Sequence, residues 1–337
     1  MGLLRVSGTI DLSQFWPAGD SDADTTKVLV GVKPGAFVFQ KSPGAAFKKT
    51  TVFNGAKVVG SISKAPIDPQ GRITIRLQGI DAPELHYRPT LPRKPAPTAE
   101  QRAAFKAVNK DFRQPFGESS TIALGTFLRT LGNAVIPCVV ETRVDLPADV
   151  FDTYGRFIGD IYVKSGAKRI DVNAWLVEQG YAYPTFYTTM AKDEITTLLV
   201  ATAKGRKQKN RLWSRYEGDT SDFDPALVYR KKNASPQPDP GKAMMPKLFR
   251  RRSAYYGEHA AGYVTGEFKA FIKAQDKENV FFLTDDFLQN GGDSASVQFL
   301  SEHLDDSGKF GLTPEQLVFR EAKSTLVDAS GKPVTKW

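Results

Sequence analysis

The chain is poor in the residues that build disulfides and soft-metal sites. Of its 337 residues, one is cysteine and three are histidine. The lone thiol, Cys138, excludes an intrachain disulfide and a cysteine-rich metal centre. It lies in Ile136-Pro137-Cys138-Val139-Val140 and reads as a small buried hydrophobe. His86, His259 and His303 are too few and too scattered for a histidine-rich metal site. His259 and His303 read as surface or helix-end residues. No run of 18 apolar residues occurs, so no membrane-spanning helix is expected. The first residues, Met1 to Ser7, carry no apolar core long enough for a secretory signal, and the expected location is cytoplasmic. Neither a GxxxxGK[ST] phosphate loop nor a GxSxG elbow is present.

Ordinary globular material is abundant: 41% of residues are hydrophobic and 25% charged. The formal net charge is +9, and it is unevenly spread. Residues 1–216 hold 30 Lys and Arg against 19 Asp and Glu; residues 217–337 hold 16 against 18. A basic front part attracts polyanions through its field and through counterion release. The near-neutral back part argues against a second grip on nucleic acid.

Length and composition suggest two domains. Apolar, β-branched runs at Val6 to Leu12, Lys27 to Val32, Ala36 to Gln40 and Ile73 to Leu77 read as short strands of a barrel or meander. Ile136 to Val144 and Phe157 to Val163 read as two more. Thr98 to Phe112 has the spacing of a peripheral helix. Glu118 to Leu131 has a better apolar stripe, with Gly132 as its exit residue. Asp171 to Gly180 is a compact helix marked at both ends: Asp171 caps, and Gly180 suits a left-handed exit. A further helix spans about Thr189 to Gln208 and ends in a basic run through Arg211. Residues 217–245 are rich in Asp, Pro, Asn, Ser and Gly, and read as a linker. Beyond it, Val280 to Leu283 reads as a strand. Ser294 to Leu304, and a segment opening at Thr313-Pro314, read as helices.

Three charged clusters are separated in the chain. They are Asp22-Ala23-Asp24-Thr25, Arg76-Leu77-Gln78-Gly79-Ile80-Asp81-Ala82-Pro83-Glu84, and Asp152-Thr153-Tyr154-Gly155-Arg156. Each alone has a structural explanation as a turn, a cap or a hairpin. Together they suit phosphodiester hydrolysis, which needs a cationic clamp on the phosphoryl oxygens and an activated water. Two arginines supply forked donors. Carboxylates suit a hard cation such as Ca²⁺, and one kept off the metal can act on water. Three carboxylates, one divalent cation and two arginines leave a small positive surplus that would attract a diester monoanion.

The second cluster, Tyr154-Gly155-Arg156 before a strand, Asn173-Ala174-Trp175-Leu176-Val177-Glu178-Gln179-Gly180 and Lys207-Gln208-Lys209-Asn210-Arg211-Leu212-Trp213-Ser214 occur in an order that resembles the staphylococcal-nuclease-like (thermonuclease) family over about residues 4–216. The resemblance implies an α+β fold: an OB-type five-stranded β-barrel with packed helices. A smaller α+β or mostly helical C-terminal domain would follow at 246–337. It also implies Ca²⁺-dependent cleavage of DNA and RNA with little sequence preference, leaving 3′-phosphate ends. By position, Arg76 and Arg156 would grip the phosphate and Glu84 would act on water. Asp24, Asp81 and the backbone carbonyl of Ala82 would hold one Ca²⁺. Tyr154 would lie near the substrate phosphate or sugar. Tyr183, Phe186 and Tyr187 are candidates to stack on bases, although about half of the local aromatics are expected to fill the barrel–helix seam.

Two departures from the family pattern carry expectations. Ala23 replaces a glycine in the first turn, which would alter that turn if positive φ were required. Insertions at 41–70 and 85–113 lengthen the chain, and Arg88, Arg93 and Lys94 in the second would form a basic lip over the site. The contrasting reading is a binding module with weak or no catalysis, its C-terminal domain recruiting a partner.

Overall fold

In the computed structural model, which describes residues 1–31, 36–216 and 223–337, five strands close on themselves as a mixed barrel. The strands are β1 (Gly2–Asp11), β2 (Thr25–Leu29), β4 (Arg72–Leu77), β5 (Val135–Val144) and β6 (Phe157–Ser165). β3 (Phe37–Gln40) and β7 (Lys168–Asp171) extend the sheet beside β1 and β6. Ring closure runs β1–β2–β4–β6–β5 and back to β1; only the β4–β6 pair is parallel. Alternation makes the core. Ile73, Ile75 and Leu77 of β4 point inward with Val28, Ile161 and Val140, while Arg72, Thr74 and Arg76 take the other face. Cys138 is buried as expected, and burial pushes its thiol up to about 12. Val32, at the end of one expected strand, lies outside the described residues.

Four helices follow in the front part, and the last three of them pack on the barrel. α1 (Ala99–Val108) opens on a reciprocal Thr98–Gln101 cap. α2 (Gly117–Arg129) buries Leu124 and Leu128; its exit is at Thr130, and Gly132 takes no positive φ. In α3 (Val172–Glu178), Asp171 accepts a hydrogen bond from the Ala174 N–H at 3.0 Å, and Gly180 leaves with φ +70°. α4 (Lys192–Gln208) packs on α3.

Residues 223–245 have no helix or strand and run along the α2 side. Arg230 forks onto the buried Glu118, and Met244 and Met245 are buried. Then come α5 (Pro246–Ala260), α6 (Phe268–Lys273) and α7 (Thr284–Asn290). A second sheet orders β8 (Phe186–Tyr187), β11 (Leu317–Phe319), β9 (Val280–Leu283) and β10 (Val297–Phe299) side by side. A second core of Phe112, Met245, Phe249, Phe271, Phe281 and Phe319 lies under it.

Two expected helices differ. Ser294 to Leu304 contains β10 and one 3-10 turn, Leu300–His303, because Val297 to Phe299 pair with the free edge of β9. After Thr313 there is a single turn, Pro314–Gln316, before β11. Leu317, Val318 and Phe319 are all buried, as in a central strand covered on both faces. The back part also returns to the barrel. Thr325–Val327 pairs with Lys57–Val59, and Trp337 stacks on Phe39 at 4.2 Å.

Candidate active site

Strand register brings the separated clusters together. β2, β4 and β6 are neighbours, with Thr25 opposite Arg76 and Ile158 opposite Arg76 on the other side. Asp24 therefore precedes β2, and Arg156 precedes β6, at the same end of the barrel. The Leu77 N–H donates to the Asp24 carbonyl at 2.8 Å, and the Gln78 N–H to the Gly159 carbonyl at 2.9 Å. Asn173 of α3 donates to the Gln78 carbonyl at 2.9 Å and so holds the exit of β4. Ile80–Asp81 then pairs with Tyr183–Pro184, which aims the Asp81 to Glu84 segment back over the barrel end. Gly117 fits against that segment: a Cβ there would sit 2.4 Å from the Glu84 carbonyl oxygen.

The result is a cleft of about 640 Å³ lined by Asp24, Arg76, Asp81, Glu84, Tyr154, Arg156 and Tyr187 among others. Arg76 donates to the Tyr187 hydroxyl at 2.6 Å and faces its ring. Arg156 is fixed by Asp152 through Nε at 2.7 Å and by Thr25 through Nη1 at 3.0 Å. Asp152 also accepts the Tyr154 and Arg156 backbone N–H groups, each at 2.9 Å. Both guanidiniums keep donors to spare for a phosphate.

Four carboxylates share this small volume. Asp24 accepts from the Ala82 N–H at 3.1 Å and from the Thr25 hydroxyl at 3.1 Å. Burial, followed by repulsion from Asp81, holds its pKa above the ordinary value. Asp22 is pushed well up by burial and by Asp24, and its Oδ1 is buried without a hydrogen-bond partner. Glu84 rises to about 7, chiefly through burial, with Asp81 and Asp24 adding and Arg250 opposing. For Asp81 burial also raises the pKa, but Arg250 and Arg76 outweigh it and the carboxyl stays below its usual range. Ala23 takes no positive φ, so the first turn accommodates it without strain.

Arg250, from α5, is the unexpected member. Its Nη2 donates to Asp81 Oδ2 at 2.9 Å and its Nη1 to Asp81 Oδ1 at 3.3 Å. Nη1 also donates to Glu84 Oε1. Ca²⁺ requires six to eight oxygen ligands around one point. Here both oxygens of Asp81 and one of Glu84 face a guanidinium. Among the described residues no three His, Cys, Asp or Glu side chains converge to hold an ion. The residues as arranged do not fit the Ca²⁺ that the sequence resemblance implies.

Two expected substrate contacts fail for a plain reason. Tyr183 and Phe186 are fully buried, so neither can stack on a base. Tyr183 packs against Trp213 and Tyr216 in the barrel–helix seam, and Phe186 belongs to the same core. Tyr154 and Tyr187 do line the cleft, Tyr154 with 56% of its surface exposed. Of the 85–113 insertion only Tyr87 lines it; Arg88, Arg93 and Lys94 do not, and α1 packs instead on α5. The sequence reading placed Asp22 and Asp152 in the charged clusters without giving them a role, and missed the α5 pair Lys247 and Arg250; all four also line the cleft. Lys247, Arg250 and Arg251 stand at i, i+3 and i+4, the spacing of one helix face, in an otherwise near-neutral part of the chain. That cationic face was the available signal.

Among the described residues no helix is long and apolar enough to cross a membrane. Residues 74–215 match the family model described as staphylococcal nuclease homologue. The match begins in β4, so β1, β2 and Asp24 precede it yet complete the same barrel. No curated protein matches the chain.

Proposed function

Taking the staphylococcal-nuclease-like domain at residues 74–215 as premise, we propose that the protein hydrolyses phosphodiester bonds of DNA or RNA in the cleft between β4, β6 and α5. The supporting observation is convergence: Arg76 and Glu84, from one segment, and Arg156, from another far along the chain, line one cavity. Arg76 and Arg156 bind the non-bridging oxygens and offset the charge that grows there in the transition state. Glu84 offers Oε2 to a water, since Arg250 meets Oε1. The water oxygen bonds to phosphorus, Glu84 takes one of its protons, and the bond to the 5′ oxygen breaks. That oxygen takes a proton from solvent, and a 3′-phosphate end remains. Tyr154 and Tyr187 flank the phosphate at the rim.

The test is cleavage of end-labelled single- and double-stranded DNA and of RNA by the full chain, in Ca²⁺, Mg²⁺ and chelator. Shortened products in at least one arm are expected, with 3′-phosphate ends. Intact substrates in every arm would overturn the assignment. Retention of the substrates without cleavage would place the chain in the binding-only class.

A further inference from the structure

The guanidinium of Arg250 stands between two of the carboxylates of the cleft, Asp81 and Glu84. α5 carries it on a fixed base: Leu248 and Phe249 are buried in the second core, and Ser253 is fully buried one turn on. The reach of Arg250 into the cleft is thus set by the packing of the whole helix. Its fork matches the chain of acceptors, spanning Asp81 Oδ1 and Oδ2 and touching Glu84 Oε1. Asp81 is 4% exposed and Glu84 13%, so the pair is largely removed from water. Displacing Arg250, itself 29% exposed, would leave two largely buried carboxylates without their cation, a large cost. Lys247, one turn earlier on the same face, also lines the cleft, where burial, with Arg251 and Arg250 beside it, lowers its pKa to about 7.

We infer that Arg250 is the resident cation of this site. It pairs with Asp81, a carboxylate the resemblance puts on the metal, and with Glu84, holds both in place, and lets the cleft act on a phosphodiester without bound Ca²⁺. Arg250 is a positioning residue in this scheme: it acts through Glu84 and Asp81 and through the field it adds to that of Arg76 and Arg156. The inference rests on the proposed hydrolysis for its purpose, but its central measurement does not require activity.

The experiment is a Ca²⁺ titration of the chelator-stripped full chain, read by thermal melting and by calorimetry. Wild type is expected to give no binding heat and a Tm shift under about 1 °C at millimolar Ca²⁺. Arg250→Gln frees both carboxylates and is expected to gain a Ca²⁺-dependent rise of about 4 °C or more. In the cleavage assay, wild type is expected to keep its rate in chelator. Arg250→Lys, which keeps charge but loses the fork, should retain Ca²⁺ indifference and lose roughly tenfold or more in kcat with KM little changed. A wild-type protein stabilised by Ca²⁺, or cleavage abolished by chelator and restored by Ca²⁺, would overturn the inference. So would a folded Arg250→Gln that stays indifferent to Ca²⁺. The wild-type titration decides the matter if that variant does not fold. Absence of cleavage in every arm counts against hydrolysis alone, because the titration still reads the cation position.

Discussion

Arg76 lies between two strands and under the Tyr187 ring, so its charge is oriented before any substrate arrives. Lysine keeps the charge but loses the planar fork. Arg76→Lys is therefore expected to lower kcat by about 10²-fold or more with Tm nearly unchanged, measured by steady-state cleavage and melting. Asp152 is the corresponding support of Arg156 and accepts three hydrogen bonds within its own turn. Asp152→Asn should lower kcat more than it raises KM, since Arg156 loses its aim and not its charge; equal kinetics would remove Asp152 from this role. At this scale the sequence was informative where residue type and short spacing coincide, as from Arg76 to Glu84. Arg250 was not legible: 166 positions separate it from Glu84. In isolation, a helix face of arginines reads as solvated surface.

Helix ends were legible because capping chemistry is local. Asp171→Ala, which removes the acceptor for the Ala174 N–H, should cost about 0.5–2 kcal/mol and lower Tm by a few degrees. β11 was not legible, because three adjacent apolar residues suit a buried helix segment as well as a strand. Only the partners β8 and β9 decide it. Within α5, Glu258 is 4% exposed, and burial raises its carboxyl to about 7. The folded form thus binds its proton more tightly than the unfolded chain. That contribution to stability is complete below about pH 4.5 and is lost as pH rises through about 7. Glu258→Gln should match wild type near pH 5 and melt higher near pH 8; the reverse order would contradict the burial argument.

Across the whole molecule, the barrel alone does not complete the cleft. β4 and the segments that lead into β2 and β6 supply one wall, and α5 with the Arg320 to Ala322 segment supplies the other. Composition showed a basic front and a near-neutral back, but not that the back would return to the barrel through Thr325–Val327 and Trp337. Such contacts depend on tertiary register, which local patterns do not encode. The claim that joins all scales is that Arg76 and Arg156, 80 positions apart in the chain, serve one phosphate. A double-mutant cycle on kcat/KM with Arg76→Lys and Arg156→Lys tests it most directly. Residues acting on the same oxygens as a unit should be strongly non-additive, with the double variant losing little more than the worse single one. Losses that multiply, or singles that leave cleavage untouched, would show that the two guanidiniums do not work on a shared group.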